Sequence, residues 1–128
     1  MEIEFEPGNI RIEDGRVQGE VEKQLESYFD GNNVEFSHEV DISDYSPFNR
    51  KVLQVLREIP YGETRTYGEI AREIGEGGSA RAVGQAANQN PVPIIIPCHR
   101  AVKKDGIGGY RFGKDVKKEL LRLEGAEF

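Results

Sequence analysis

The residues with the greatest chemical reach in this chain are Pro97-Cys98-His99-Arg100, which hold the only cysteine and one of the two histidines among 128 residues. A lone thiol makes no internal disulfide, so Cys98 serves either packing or reactivity. Free cysteine has a pKa near ~8.5 and is only a few per cent thiolate at neutral pH, so use as a nucleophile needs a base or a positive charge beside it. His99 and Arg100 stand next in sequence and are candidates for either part. The competing assignment is a buried structural cysteine at a strand end.

What must position Cys98 lies just before it. Asn90-Pro91-Val92-Pro93 breaks a helix, and the three isoleucines at 94–96 read as a short strand, apolar on both faces and therefore buried. Pro97 ends it, which puts Cys98 at the tip of a rigid element. Further upstream, Thr66 with Glu69 forms a capping box, and Ile70, Ala71 and Ile74 make one apolar face. Residues 75–78 are a glycine-rich break, after which Ser79 caps a second helix. Its Ala80, Ala82, Val83, Gly84, Ala86 and Ala87 keep it slim enough to lie close to another surface. Two short helices across a glycine turn, the second bearing Arg81, Gln85, Asn88 and Gln89, have the form of a helix-turn-helix, a form also found in folds that bind no nucleic acid. Tyr67 shares the face of Ile70, Ala71 and Ile74 and reads as a core residue.

The start of the chain alternates in short stretches broken by Pro7-Gly8-Asn9 and Glu13-Asp14-Gly15, a strand and hairpin pattern. A helix is expected over 20–30, where Val21, Leu25 and Phe29 recur with Tyr28 at helical spacing and Gly31 stops them. Residues 31–45 are polar and turn-rich, and His38 sits there with no chemical partner in view. Ser46-Pro47 opens another helix, with Phe48, Val52, Leu56 and Ile59 as its buried stripe and Pro60-Tyr61-Gly62 as its stop. The expected architecture is α/β of the α+β kind: a small N-terminal lobe over 1–45 and a mainly helical domain over 46–128 with a helix-turn-helix and a short active-site strand.

Composition narrows the function. With 37% hydrophobic residues the chain buries one real core. No apolar run approaches the roughly 20 residues of a membrane span, and the acidic start lacks the basic and apolar regions of a signal peptide, so a reducing cytoplasm is expected, which suits a free thiol. One cysteine and two histidines make an ordinary structural zinc site improbable. The net charge of −6 is divided: residues 1–46 carry 3 basic and 13 acidic side chains, residues 47–128 carry 14 basic and 10 acidic. The second part is thus the one able to meet a phosphate backbone while the first faces away.

Ala80-Arg81-Ala82-Val83-Gly84, Asn90-Pro91-Val92-Pro93, Ile96-Pro97-Cys98-His99-Arg100, Gly108-Gly109-Tyr110 and Leu120-Leu121-Arg122-Leu123-Glu124-Gly125, in that order, closely resemble the O6-alkylguanine-DNA alkyltransferases. The resemblance implies irreversible transfer of an alkyl group from O6 of guanine, and potentially O4 of thymine, in duplex DNA onto Cys98, once per molecule. It further implies that His99 deprotonates Cys98 through a water, that Glu124 orients and polarises His99, that Tyr67 donates to N3 of the guanine, and that Lys117 stands near the same site. Such a Cys-water-His-Glu relay is analogous to a catalytic triad. Without the resemblance, Glu124 and Lys117 read as ordinary helix charges.

The target atom is out of reach in a stacked duplex, so the nucleotide must be flipped out at a cost of roughly a few kcal/mol. By resemblance Arg81 enters the vacated stack, and Ala82, Gly84, Gln85, Asn88 and Thr66 contact DNA from a helix presented to the minor groove. Asn90 is the hinge between recognition helix and active-site strand. Pro93, Ala101, Tyr110, Arg111 and Phe112 complete the pocket, with residues 106–113 as its lid. No cofactor or metal is implied, and a monomer is expected.

Two features depart from the family pattern. Tyr110-Arg111-Phe112-Gly113 stands where small residues often follow the tyrosine, so methyl transfer is expected to be preferred over benzyl transfer. The N-terminal lobe is also short. The rival readings are an alkyltransferase-like protein that binds alkylated DNA without reacting, a helix-turn-helix regulator with a structural cysteine, and a thiol hydrolase. Alkyltransferase-like proteins often carry tryptophan at the cysteine position, so Cys98 argues against the first; sequence-specific affinity marks the second and repeated turnover the third.

Overall fold

The computed structural model describes residues 1–75 and 78–128. Along these residues run β1 (Glu2–Ile3), β2 (Ile10–Arg11), α1 (Glu22–Phe29), α2 (Pro47–Arg57), β3 (Arg65–Thr66), α3 (Tyr67–Ile74), α4 (Ala80–Ala87), β4 (Ala101–Val102) and α5 (Lys114–Leu123). Strands β1 and β2 pair antiparallel with Ile3 opposite Ile10, the hairpin expected from the broken alternation. Helix α1 starts two residues later than its periodicity suggests, within the usual fraying of helix ends.

Local chemistry sets the helix starts. The Ser46 side chain accepts the Asn49 amide with Pro47 at the first helical position of α2. At α3 the capping box is complete: Thr66 Oγ1 accepts the Glu69 amide and Glu69 Oε1 accepts the Thr66 amide. Ser79 caps α4 by accepting the Ala82 amide. Helix α3 packs on α4, and both pack on α2. Of the glycine-rich break expected at 75–78, Glu76 and Gly77 lie outside the described residues.

One hydrophobic core joins the two parts of the chain. Ile10, Ile12, Leu25 and Tyr28 from the first part meet Val52, Leu53, Leu56, Ile70, Val83 and Leu120 from the second. Each fully buried aliphatic side chain of this kind contributes about 1.5–3 kcal/mol before the entropic cost of ordering it. Val102, Leu121 and Ala126 form a small second cluster.

The strand expected at 94–96 is not formed. All three isoleucines are buried as expected, but Ile94 has φ 74° and the run closes a tight turn in which the Ile96 amide reaches Val92 O at 3.0 Å. The reason lies in the donors available. Pro91, Pro93 and Pro97 remove amides a strand ladder needs, and the Asn90 side chain takes over, accepting the Val92 amide at 3.1 Å and donating to Ile96 O at 2.7 Å. A β-branched residue at positive φ is strained, and this network is what holds it. Cys98 consequently opens a 3-10 turn, Cys98–Arg100, and the true strand, β4, follows it and pairs parallel with β3.

Candidate active site

Cys98 is only 8% exposed, and its amide donates to Ile96 O at 2.8 Å, so the turn fixes where the thiol points. Burial pushes the thiol pKa up, while Asn90, Lys117 and Tyr110 work in the opposite direction. The resting thiol is therefore protonated and needs a base at the moment of reaction.

The residue that follows Cys98 is a histidine. His99 is fully buried, and its Nε2 lies 2.6 Å from Glu124 Oε2. Burial holds the imidazole pKa below its ordinary value, against the pull of Glu124, so the ring is neutral. Burial also works to raise the Glu124 pKa, but the bonds and charges of His99 and Arg100 outweigh it and hold the carboxyl well below the usual range. An ionised carboxylate only accepts hydrogen bonds, so His99 carries its proton on Nε2. Nδ1 keeps a free lone pair, and it is buried without a hydrogen-bond partner. A buried basic nitrogen left unpaired is poised to accept a proton rather than to hold structure.

Glu124 is the most heavily bonded side chain here. Its Oε1 accepts Arg100 Nε at 2.8 Å and the Gly62 amide at 3.0 Å. Its Oε2 accepts His99, Arg100 Nη2 at 3.1 Å and the Tyr28 hydroxyl at 2.5 Å. Gly62 has φ 79°, and a Cβ there would stand 3.2 Å from Glu124 O, so the close approach of its amide requires glycine. Arg100, whose charge was a candidate for stabilising the thiolate, is committed instead to Glu124 and to Ile59 O at 2.7 Å. Lys117 takes the cationic place near the thiol.

Lys117 is fully buried, and burial lowers its pKa to about 8. Its Nζ donates to Ala101 O at 2.6 Å, Gly109 O at 3.1 Å and the Tyr67 hydroxyl at 3.2 Å. Tyr67 is therefore not plain core. Its hydroxyl borders the Cys98 pocket, its pKa is pushed up to about 12 by burial and by Cys98, and it remains a proton donor at neutral pH. A Cβ on Gly108 would come within 3.1 Å of that ring and hydroxyl, so the segment passes Tyr67 only because residue 108 is glycine.

The pocket over Cys98 has a volume of about 20 Å³ and is bordered by Tyr67, Gly84, Asn88, Asn90, Tyr110, Arg111 and Phe112. The Tyr110 hydroxyl is buried and unpartnered. Arg111 Nη1 donates to Asn90 O at 3.4 Å while its guanidinium lies over the Phe112 ring. Of the remaining expected pocket residues, Pro93 is buried in the turn opposite Ile96, and Ala101 contributes through its carbonyl.

A wider groove of about 620 Å³ adjoins this pocket, lined by Arg81, Gly84, Gln85 and Asn88 of α4 and its end, with Lys103 and Tyr110. Arg81, Gln85 and Asn88 are exposed on that face. Ala82 is half-buried with its amide held by Ser79, and Thr66 has its hydroxyl committed to the capping box, so neither lines the groove. His38 lies apart, with Nε2 at 2.8 Å from Glu20 O. Among the described residues no group of three or more His, Cys, Asp or Glu side chains is placed to hold a metal, and no helix is long and apolar enough to cross a membrane.

Sequence reasoning missed two parts of this site. In the sequence Tyr28 reads only as part of the apolar spacing of α1, and Gly62 only as a helix stop. The one available signal was a hydroxyl-bearing aromatic on a face where phenylalanine would pack as well.

The model of the family described as 6-O-methylguanine DNA methyltransferase, DNA binding domain, matches residues 47–126. The methylated-DNA--protein-cysteine methyltransferase of Methanosarcina acetivorans is 46% identical over 97% of this chain and 84% of its own length. A crystal structure of Mycobacterium tuberculosis OGT in complex with DNA is 47% identical with a TM-score of 0.76, covering 81% of this chain and 63% of that one. The chain thus spans somewhat less than two thirds of that solved relative. A crystal structure of S. pombe Atl1 in complex with damaged DNA containing O6-carboxymethylguanine is 36% identical with a TM-score of 0.56, covering 69% of this chain and 82% of that one. Extending through the pocket, the groove and the buried carboxylate, these matches show that the chain belongs to the 6-O-methylguanine DNA methyltransferase family.

Proposed function

We propose that this protein repairs DNA by moving an alkyl group, methyl above all, from O6 of guanine to Cys98, irreversibly and once per molecule. The observation that carries the reading is the bond from His99 Nε2 to Glu124, which leaves Nδ1 unpartnered on the residue that follows the only cysteine. The Cys98 proton passes to Nδ1 through a bridging water, as the family resemblance implies. The thiolate attacks the alkyl carbon in line with its bond to O6; the carbon–sulfur bond forms as the carbon–oxygen bond breaks. Negative charge developing on the departing base is met by a proton from the Tyr67 hydroxyl at N3, and Lys117 at 3.2 Å supports that donation. His99 then releases its proton to solvent and the Tyr67 oxygen takes one up, so the net change is one thiol and one alkylated base giving one thioether and one guanine.

Base flipping precedes chemistry, with Arg81 standing in the duplex and the exposed face of α4 against the minor groove. Asn90 serves as hinge between that helix and the Cys98 turn. The expected partner is duplex DNA carrying O6-alkylguanine, met by a monomer without metal or cofactor, and a reducing cytoplasm suits the free thiol. A role in binding alkylated DNA without reaction is disfavoured by Cys98 itself.

The test is to mix the protein with a duplex containing O6-methylguanine and follow the Cys98 peptide by mass spectrometry. One methyl per molecule on Cys98 is expected. An unmodified Cys98 after the duplex has been bound overturns the reading.

A further inference from the structure

Tyr28 lies outside the segment matched by the family model, in α1, and nothing about the reaction as described requires it. Yet its side chain is fully buried, with its hydroxyl 2.5 Å from Glu124 Oε2 and 3.4 Å from His99 Nε2. Its ring meets the His99 ring at 6.5 Å and 69°. If the position served packing alone, phenylalanine would fill it with no hydroxyl to desolvate. Burial and the neighbouring Glu124 charge push the phenol pKa far up, so the hydroxyl is a permanent donor.

We propose that Tyr28 is a positioning residue of the transfer reaction, whose hydroxyl shares Glu124 Oε2 with His99 and so sets how strongly that carboxylate supports positive charge on the imidazole. The inference rests on alkyl transfer at Cys98 as proposed above. Three donors converge on one oxygen: His99 Nε2, Arg100 Nη2 and the Tyr28 hydroxyl. Each donor draws on the same lone pairs, so a bond to Tyr28 weakens the one to His99. The hydroxyl therefore keeps His99 less basic than an undivided carboxylate would make it, and keeps it neutral further down the pH scale.

The other charged or titratable groups around this pair are Arg100 and Cys98 on the His99 turn, Lys117 of α5 and Glu124 at its C-terminal end, Tyr61 beside Arg100, and Tyr110. Of these, Glu124 loses a donor when the Tyr28 hydroxyl is removed, and Tyr110 and Tyr61 lie close enough to feel the same change, whereas Arg100, Cys98 and Lys117 keep their own bonds. Removing the hydroxyl leaves Glu124 more fully to His99, raises the imidazole pKa, and moves the acid limb of the reaction to higher pH. A fluorinated tyrosine at position 28 is a stronger donor of the same shape and acts in the opposite direction.

The experiment measures single-turnover methyl transfer from O6-methylguanine duplex across pH for the wild type, Tyr28→Phe and the fluorinated variant, with the His99 imidazole titrated by nitrogen NMR in each. Tyr28→Phe is expected to move both midpoints up by about half a pH unit, about threefold in rate on the limb, and the fluorinated residue to move them down. Superimposable profiles and titrations overturn the inference, as does a uniform loss of rate with unmoved midpoints, which marks a purely structural role. If Tyr28→Phe does not fold, the fluorinated variant decides by the same criteria. A wild type that leaves Cys98 unmethylated fails the parent reading instead, and the His99 titration still reports on Tyr28.

Discussion

The Nε2 of His99 lies 2.6 Å from Oε2 of Glu124, with both side chains wholly withdrawn from solvent. This bond fixes the orientation of the imidazole, and it ties a residue of the reactive turn to the end of α5.

Glu124→Gln tests that bond. It leaves Arg100 buried without its counter-charge, an arrangement that costs about 3–5 kcal/mol. Denaturant unfolding at neutral pH measures this loss, and single-turnover transfer is expected to fall about 100-fold under conditions where the variant is folded. A variant as stable and as fast as the wild type contradicts the assignment.

The same carboxylate sets an acid limit on stability. Its folded pKa is depressed, so the unfolded chain takes up its proton first as pH falls. The contribution is fully present above the unfolded value near ~4.3 and is lost progressively below it, toward the lower folded value. Unfolding free energy of the wild type should decline through that window, and the decline should be shallower for Glu124→Gln.

Lys117 gives an alkaline signature. Its pKa of about 8 means the ammonium that supports Tyr67 is lost as pH rises through that value. Transfer is expected to fall above pH 8, and Lys117→Gln should be slower without that inflection. Because the unfolded amine, at about 10.4, binds its proton in the range where the folded one has released it, folding stability from this group rises between those two values. Stability curves of wild type and Lys117→Gln separate the two effects.

Arg81→Ala should slow transfer from duplex DNA about 10-fold or more while leaving reaction with free O6-methylguanine base within about twofold. Arg81 lines the groove and not the Cys98 pocket, which is why the two substrates should part. Equal losses on both would mean that Arg81 acts on the chemistry itself.

Size selectivity follows from the pocket. Arg111, held against Asn90 O and over the Phe112 ring, and Phe112 itself border the pocket and leave a bulky alkyl group less room than small residues there would. Methyl is expected to transfer at least about tenfold faster than benzyl, and Arg111→Gly should narrow the gap. Comparable rates in the wild type would reject the expectation.

Helix boundaries and caps were legible because they are local: Ser46 with Pro47, Thr66 with Glu69 and Ser79 each satisfy amides within a single turn. Cys98 and His99 were legible as neighbours in sequence. The assignments of Glu124, Tyr67 and Lys117 came through the family resemblance, since a glutamate or lysine near the end of an amphipathic helix looks solvent-facing until its tertiary partners are known. The 94–96 segment misled because isoleucine favours strands, whereas the outcome was decided by missing proline amides and the reach of Asn90. Tyr28 was beyond reach: its partner stands 96 positions away.

That separation ties reactivity to completion of the fold. Glu124 is gripped by α1, by the glycine after α2 and by the Cys98 turn at once, so no half-assembled chain can present the full set of donors. Until the two ends meet, the imidazole has no oriented carboxylate and the thiol no aligned proton acceptor. The carboxylate network therefore exists only in the completed fold, and a chain still folding carries an ordinary exposed thiol in place of the buried, protonated one found here.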